Sequence, residues 1–384
     1  MIKSKFQIFV LLIFIALFIN AENSFSQSFK FVAMSDSRGS YNGVNEPVLS
    51  ALVTHMLQNH SDAKFLLFPG DMVNGSKTNP DETYNQLLNW KRIMSPVYNN
   101  PNMIWPKVWV TVGNHEVQHF KDEENFRALF PDVFMNGPND EKGLTYFFDY
   151  NQTTFVFVTS DRWYYGNPDD TTDDRRDWHY IKHLDWLEEN LKAARSRGSK
   201  YIFVVSHEPA FPIGGHLRDA LPNLGMNLTL PLDSTRLWYL NQRDEFWRIL
   251  EDYNVTAYIC GHEHIYGRQT VNGVHQIIAG SCGAPLYHFN LLYGDNPEVK
   301  KPGQEMTYNE ALPYYEVLNY NYGPEGNSQA SNDFIGYRAF EYIIFNVDED
   351  HVKVETYGAF PKEGTNNEIG SEIELIDEFV IERK

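Results

Sequence analysis

The sequence predicts a layered α/β fold, and three observations support that prediction. Short apolar runs that are typical of strands alternate with amphipathic segments that are typical of helices along most of the chain. Several of the apolar runs end in polar residues, as the strands of a mainly parallel sheet often do. With 384 residues, 42% of them hydrophobic and 15% aromatic, the chain is globular and long enough to bury a large core.

The first half of the chain alternates three strands with two helices. The predicted strands span 29–34, 64–68 and 108–112, and the predicted helices span 47–60 and 81–93. In the first helix, Val48, Leu52 and Met56 recur at helical spacing and form one apolar face. The second helix carries Asp81 and Glu82 in its first turn, where the helix dipole favours negative charge.

The second half continues this pattern and then interrupts it. Strands are predicted at 146–150, 154–160, 201–205, 255–260, 276–279, 341–347, 352–357 and 376–381, and helices at 178–197 and 246–253. Around 286–335 the periodicity gives way to tyrosine, asparagine, proline and glycine, which predicts an irregular insertion. We therefore expect one domain over 27–384 that carries this insertion.

The first 26 residues have the features of a secretory signal peptide. Lys3 and Lys5 precede an unbroken apolar run over 6–19, which is short for a membrane span. Cleavage after Ala21 or Ser26 would remove it, and no cysteine lies near the cut to carry a lipid. We expect an exported protein, periplasmic or extracellular, without a stable membrane anchor. The alternative is an uncleaved N-terminal anchor.

The charge of the chain limits the kinds of partner that it can bind. A formal net charge of −19 and a pI near 5.1 argue against a groove for polymeric nucleic acid. We therefore expect no polymeric nucleic acid as a partner. A small anionic substrate would need cationic groups concentrated at its site. The oligomeric state is left open.

Two cysteines occur, Cys260 and Cys282, and both lie at the ends of neighbouring strand-like runs. Export would permit a disulfide between them. Small buried thiols are also common in protein cores. Both alternatives stay open on the sequence alone.

Metal-ligand residue types follow five of the predicted strands. The strand-end residues are Asp36, Asp71, Asn114, His207, His262 and His264, and His115 lies beside Asn114. A single aspartate after a strand is usually a turn or helix cap, but capping does not explain three histidines in the same setting. Neutral imidazole and carboxylate oxygen are ligands of first-row transition metals. The set predicts a site for two metal ions bridged by one carboxylate.

The order of these motifs resembles the calcineurin-like metallophosphoesterases, a group that includes the purple acid phosphatases. The motifs are Asp36, Gly70-Asp71, Gly113-Asn114-His115-Glu116, His207 and Gly261-His262-Glu263-His264. The resemblance implies a four-layer α/β/β/α sandwich of two mixed sheets with flanking helices. It also implies that Asp36 and His264 hold the first metal, that Asp71 bridges, and that Asn114, His207 and His262 hold the second metal. His115 matches the family's catalytic histidine. The chain is thus interpreted as a secreted bacterial member.

The implied activity is hydrolysis of phosphate monoesters or diesters. The expected cofactors are two divalent or trivalent transition metal ions, Mn, Fe or Zn. A water that bridges such ions is available as hydroxide near neutral pH and can attack phosphorus in line. His115 would steady the phosphate and protonate the leaving oxygen.

The first motif departs from the family pattern at Arg38. The family usually has a metal-binding histidine at this position, and arginine cannot act as a neutral ligand. We hypothesise that Arg38 binds the substrate phosphate through two nitrogens instead, so that the first metal is held more weakly. The alternative is that Arg38 forms a structural ion pair with an aspartate.

Two further positions bear on the resemblance. Purple acid phosphatases have a tyrosine three residues after the bridging aspartate, and the residue here is Asn74, so we expect no iron–tyrosinate colour. His216 follows His207 at a spacing at which purple acid phosphatases have a substrate-facing histidine, which makes it a candidate acid or phosphate contact. The aromatic-rich segments 163–165 and 287–322 are either pocket walls or ordinary packing.

Two rival functions remain. One is a non-catalytic binding module on the same scaffold, with a degenerate first metal site of which Arg38 is the first sign. The other is a hydrolase that uses the second metal alone.

Overall fold

The computed structural model describes residues 28–162, 180–212, 234–287, 305–307 and 335–384. The helices are Glu46–Asn59 (α1), Pro80–Ile93 (α2), Ser95–Tyr98 (α3), Asp122–Leu129 (α4), Leu184–Ser196 (α5) and Ser234–Asp252 (α6). The strands of the first half are Phe29–Ala33 (β1), Arg38–Gly39 (β2), Gly43–Val44 (β3), Leu66–Pro69 (β4), Val108–Thr111 (β5), Tyr146–Tyr150 (β6) and Thr153–Phe157 (β7). Those of the second half are Tyr201–Val205 (β8), Ala257–Cys260 (β9), Tyr266–Val271 (β10), Val274–Ala279 (β11), Glu305–Thr307 (β12), Ile335–Tyr337 (β13), Phe340–Val347 (β14), His351–Ala359 (β15) and Glu374–Glu382 (β16).

Two mixed sheets form the centre of the fold. Sheet one has six strands in the order β16-β15-β14-β1-β4-β5, and sheet two has eight in the order β12-β13-β10-β11-β9-β8-β7-β6. In sheet one, β1, β4 and β5 are parallel and β14 to β16 are antiparallel. In sheet two, β7, β8, β9 and β11 are parallel. Because the strands within each set are parallel, the carboxyl ends of β1, β4 and β5 share one edge of sheet one, and those of β7, β8, β9 and β11 share one edge of sheet two.

The sheets pack face to face through an aromatic core. The ring of Phe31 on β1 meets Phe155 of β7 and Phe203 of β8 edge-on, at centroid distances of 5.1 and 5.0 Å. All three side chains are fully buried. Since β1 lies in one sheet and β7 and β8 in the other, these contacts join the two layers.

Helices cover the outer faces of both sheets. Leu52 of α1 and Trp90 of α2 belong to the buried cluster of sheet one. Leu187 of α5 and Phe246 of α6 belong to a second cluster, on the outer face of sheet two. Helix, sheet, sheet and helix therefore form four layers, and the predicted α/β/β/α sandwich is confirmed.

Several elements differ from the sequence expectation. The helix predicted over 178–197 begins at Leu184, because Tyr180 and Ile181 are buried in a non-helical turn. The helix predicted to begin at 246 begins at Ser234. Strand β10 was not predicted, since its Gly267, Arg268 and Gln269 are atypical of a buried strand. Its pairing with β11 across a tight turn provides the buried setting.

Three other expectations concern the two cysteines, a membrane anchor, and the segments predicted as signal peptide and insertion. Cys260 and Cys282 are free, buried thiols, so the alternative of two core cysteines holds and the disulfide does not. Among the described residues, no helix has the length and apolar character needed to cross a membrane. The predicted signal peptide and most of the predicted insertion around 286–335 lie outside the described residues.

Candidate metal centre

The loops that follow the parallel strands of both sheets meet at one edge. The Asp36 N–H donates to the Gly70 carbonyl at 3.3 Å, and the Gly261 N–H donates to the His207 carbonyl at 2.9 Å. The His262 N–H donates to Asp36 Oδ2 at 2.9 Å, which ties a loop of sheet two to a loop of sheet one. The predicted convergence of these strand ends is therefore present.

The oxygen and nitrogen donors are divided between the sheets. The oxygen donors follow strands of sheet one and are Asp36, Asp71 and Asn114. The imidazoles follow strands of sheet two and are His207, His262 and His264. Neither sheet alone carries a complete donor set.

The backbone at the site is unusually tight. Asp36, Asp71 and His262 adopt left-handed φ angles of 57°, 51° and 68°, which non-glycine residues rarely do and which cluster at functional sites. Gly261 packs so closely that a Cβ there would lie 2.3 Å from Asp36 Oδ2. Gly70 has a φ of 91°, and its Cβ would lie 2.8 Å from His207 Nδ1. The glycines before Asp71 and His262 are thus required by the close approach of the loops.

The first group of donors is Asp36, Asp71 and His264. One ligand atom from each lies within 4.8 Å of the others, and all three residues are buried. Asp36 Oδ1 lies 3.6 Å from His264 Nε2, and it has no hydrogen-bond partner within the described part of the chain. His264 Nδ1 lies 2.8 Å from the Pro285 carbonyl, to which it donates, so Nε2 is left as the ligand atom. A buried orphaned carboxylate oxygen facing an imidazole nitrogen fits a metal ion.

The second group centres on His207. Its Nδ1 donates to the Pro69 carbonyl at 2.8 Å, which leaves the lone pair on Nε2. Three donor atoms surround that Nε2: His262 Nδ1 at 3.1 Å, Asn114 Oδ1 at 3.3 Å and Asp71 Oδ1 at 3.4 Å. Ligand atoms that are each about 2.1 Å from one ion lie roughly 3.0–3.4 Å from each other. The spacing therefore fits a second ion, and Asp71 belongs to both groups.

Buried Glu116 holds the loops that carry these ligands. Its carboxylate accepts from the N–H of Asp71 at 2.7 Å, of Val73 at 3.1 Å and of Gly113 at 2.9 Å. Burial and the nearby charge of Asp71 raise the pKa of Glu116, and the three N–H donors oppose that rise. The side chain thus fixes two strand-end loops relative to each other.

His115 faces the site from the turn that follows β5. Its Nδ1 donates to the Asn74 carbonyl at 2.6 Å, so Nε2 is directed towards Asp71 Oδ2, at 3.9 Å. Its side chain is 19% exposed. It can therefore reach a ligand that sits at the mouth of the site.

Arg38 lies beside the first group. Its Nε is 3.7 Å from Asp71 Oδ2, and its Nη2 donates to the Tyr287 hydroxyl at 3.4 Å. The side chain is 22% exposed, and Nε has no hydrogen bond within the residues that the structure describes. The Arg38–Asp71 contact matches the alternative of an ion pair with an aspartate. The guanidinium is also partly exposed, so it remains accessible to a phosphate.

The two central carboxylates have opposite electrostatic environments. Burial, followed by the charge of Asp71, raises the pKa of Asp36 well above its usual value. Burial would also raise the pKa of Asp71, but the electrostatic influence of the neighbouring His115, His207 and Arg38 side chains outweighs it and holds that pKa well below its usual range. A cation between these carboxylates would favour the ionised form of both.

His216 lies outside the described residues, as does the segment 163–165. Sequence reasoning gave no specific role to Tyr287, or to the Pro69 and Pro285 carbonyls that orient His207 and His264. Backbone carbonyls have no sequence signal. Tyr287 stands at the start of an aromatic-rich segment, and only its contacts distinguish it from the others.

A second cluster of possible ligands lies elsewhere, at Asp140, Glu141 and His183. Lys182 contacts Asp140 at 2.9 Å, and Arg162 contacts Glu141 at 3.4 Å. Because these two cations balance the two carboxylates, we interpret the cluster as an ion-pair network and not as a metal site.

The fold and the donor set together define the class: an α/β/β/α sandwich with a candidate two-metal centre at the carboxyl ends of its strands. A family model described as "Calcineurin-like phosphoesterase" matches residues 29–266. The chain belongs to the calcineurin-like phosphoesterase family, as the sequence motifs predicted.

Individual relatives are more distant. Tartrate-resistant acid phosphatase type 5 of Mus musculus is 29% identical over 137 residues, which are 34% of this chain and 35% of that protein. The solved purple acid phosphatase PPD1 from yellow lupin (Lupinus luteus) matches with a TM-score of 0.55 and 12% identity, over 93% of this chain and 54% of that one. A dimetal phosphatase from Danio rerio matches with a TM-score of 0.52 and 13% identity, over 93% and 99% of the two chains. At such identities the solved structures show a shared fold.

Proposed function

We propose that the protein is a metal-dependent phosphoesterase that hydrolyses the ester bond of a small phosphorylated compound. One observation carries this proposal: the donors of both groups converge on Asp71, at spacings that suit two neighbouring ions. Family membership supports the class of reaction.

We also propose that the protein is exported, on the basis of its N-terminal sequence. The net charge of −19 supports the further proposal that polymeric nucleic acid is not a substrate.

The donors divide between two ions in the way that the family resemblance implies. Asp36 and His264 would hold the first ion, His207, His262 and Asn114 the second, and Asp71 would contact both. Two such ions, of Mn, Fe or Zn, supply an activated water and positive charge for the phosphate oxygens. The rigid loops around Gly70 and Gly261 keep these side chains in place before any substrate arrives.

The side chains of His115 and Arg38 complete the site. The proton on His115 Nδ1 is held by the Asn74 carbonyl, so Nε2 is the atom that can give a proton to the leaving oxygen. Arg38 is fixed between Asp71 and Tyr287 and can place a guanidinium nitrogen against a phosphate oxygen. His216 is proposed as a further phosphate contact on its sequence position alone.

The test uses metal-depleted full-length protein and two chromogenic esters. Mn, Zn or Fe is added back, and hydrolysis of para-nitrophenyl phosphate and of its bis ester is followed. We expect turnover of at least one ester, and the ratio of the two rates assigns monoesterase or diesterase activity. His115→Gln should lower kcat by about 10²- to 10⁴-fold while the protein keeps its metal. No turnover of either ester with any metal would contradict the proposal.

A binding module is the second candidate, and one observation favours it. Arg38 stands where the family has a metal ligand, and it pairs with Asp71, the residue shared by both groups. Such a module would bind inorganic phosphate without hydrolysing either ester. A hydrolase that uses one metal would instead be active with one ion per chain.

A further inference from the structure

Tyr287 contacts two residues of the metal centre at once. Its ring stacks on the imidazole of His264, with centroids 4.1 Å apart and planes inclined by 18°. Its hydroxyl lies 3.4 Å from Arg38 Nη2. Tyr287 thus contacts His264, a candidate metal ligand, and Arg38, which stands where the family usually has a metal-binding histidine.

The backbone around Tyr287 is itself held in place. The Tyr287 N–H donates to the His264 carbonyl at 3.1 Å, and Arg338 Nε donates to the Tyr287 carbonyl at 3.1 Å. The preceding Leu286 N–H donates to the Asn366 carbonyl at 2.7 Å. Because these bonds come from three different segments, the ring and hydroxyl have a defined position.

The ring can control the orientation of His264. The hydrogen bond from His264 Nδ1 to Pro285 selects the tautomer, but one hydrogen bond leaves the ring plane free to rotate about it. Stacking against Tyr287 removes this freedom, and Nε2 then faces Asp36 Oδ1 at 3.6 Å. Groups behind a metal ligand that orient it contribute strongly to metal affinity.

The hydroxyl can control the position of Arg38. Among the described residues, the bond to Tyr287 is the one hydrogen bond that the Arg38 side chain makes. Its other contact is the ion pair with Asp71. An arginine held by one ion pair keeps much of its rotamer freedom and would lose it on binding phosphate. The hydroxyl therefore reduces the cost of ordering the guanidinium when phosphate binds.

We propose that Tyr287 is a positioning residue with two separable parts: its ring orients His264 for the first metal, and its hydroxyl holds Arg38 for the phosphate. The inference rests on the proposed function, because it assumes that the site binds metal and phosphate. The proposal gives a positioning role to a residue that lies outside the metal-ligand motifs.

Two variants separate the two parts. Tyr287→Phe keeps the ring and removes the hydroxyl, and Tyr287→Leu removes both. Metal-depleted full-length protein is titrated with Mn²⁺ by calorimetry, and Mn²⁺-loaded protein is titrated with inorganic phosphate. For Tyr287→Phe we expect Mn²⁺ affinity within about twofold of wild type and phosphate affinity weakened about 3- to 10-fold. For Tyr287→Leu we expect the same loss for phosphate and, in addition, a roughly tenfold weaker first Mn²⁺ site.

A matched control is Tyr146→Phe, which removes a buried hydroxyl that donates to the Val110 carbonyl on β5. It should leave both affinities unchanged. Equal Mn²⁺ affinity of the Leu and Phe variants would overturn the role of the ring, and unchanged phosphate affinity of Tyr287→Phe would overturn the role of the hydroxyl. If Tyr287→Leu does not fold, Tyr287→Gln serves as the variant without a ring. Both readouts are binding measurements and do not depend on catalytic activity. A wild-type protein without activity would therefore contradict the proposed function, while the role of Tyr287 could still be tested.

Discussion

Asp71 is the residue on which both groups of donors depend. Its Oδ1 lies 3.4 Å from His207 Nε2 and accepts from the His115 N–H at 3.1 Å. Its Oδ2 faces Arg38 and His115. A carboxylate in such a position can bridge two ions, and Arg38 competes with the first ion for it. We therefore expect arginine at this position to weaken the first metal site and to leave the second intact.

We expect Arg38→His to strengthen the first metal site. Histidine would add a neutral ligand and remove a positive charge, and its Nε2 ends about as far from Cα as Arg38 Nε does. Metal content per chain, measured after exhaustive dialysis, should rise towards two ions. Arg38→Ala is the control, since it removes the charge without adding a ligand. If the histidine variant retains no more metal than the alanine variant, position 38 does not face the first ion.

At the scale of elements, short motifs at strand ends predict which loops come together. Asp36, Asp71 and His207 each follow a parallel strand, and the direction of those strands alone places them at one edge. Tyr287 was not assigned from the sequence, because it reaches the site through an irregular segment that has no periodicity. Strand β10 was missed for a related reason: its burial comes from its partners in the sheet and not from its own composition.

The central strand β1 allows a test of the sandwich core. Phe31→Ala should lower the free energy of unfolding by about 3–5 kcal/mol, because its ring fills the space between the sheets and leaves a cavity when removed. Urea titration followed by far-UV circular dichroism measures the change. Phe134, whose side chain is 44% exposed, is the matched site, and Phe134→Ala should cost about 1 kcal/mol or less. Equal losses at the two positions would argue against a shared core between the sheets.

For the whole molecule, the buried charges of the site are a source of instability that metal can relieve. Asp36 and Asp71 are fully or almost fully buried and lie close enough that each affects the ionisation of the other. A ligand that binds the folded state alone stabilises it by mass action. Family members with this donor set are therefore expected to depend on metal for stability as well as for chemistry.

Removal of metal should lower the thermal stability of the protein. Saturation at 100- to 1,000-fold above the dissociation constant is worth about 3–4 kcal/mol, which corresponds to roughly 3–6 °C for a chain of this size. Differential scanning fluorimetry with EDTA, and after addition of excess Mn²⁺, measures the difference. Asp71→Asn should abolish most of the response to Mn²⁺. A melting temperature that does not change with EDTA in the wild type would mean that the centre does not hold metal in the folded protein.

The division of donors between the sheets has a consequence for the mechanics of the fold. The oxygen donors come from sheet one and the imidazoles from sheet two. A bound ion would therefore connect the two sheets through its ligands. Any slippage of one layer over the other would then pull apart the coordination sphere. The dissociation rate of the ion would then report on how tightly the aromatic core between the two sheets is packed.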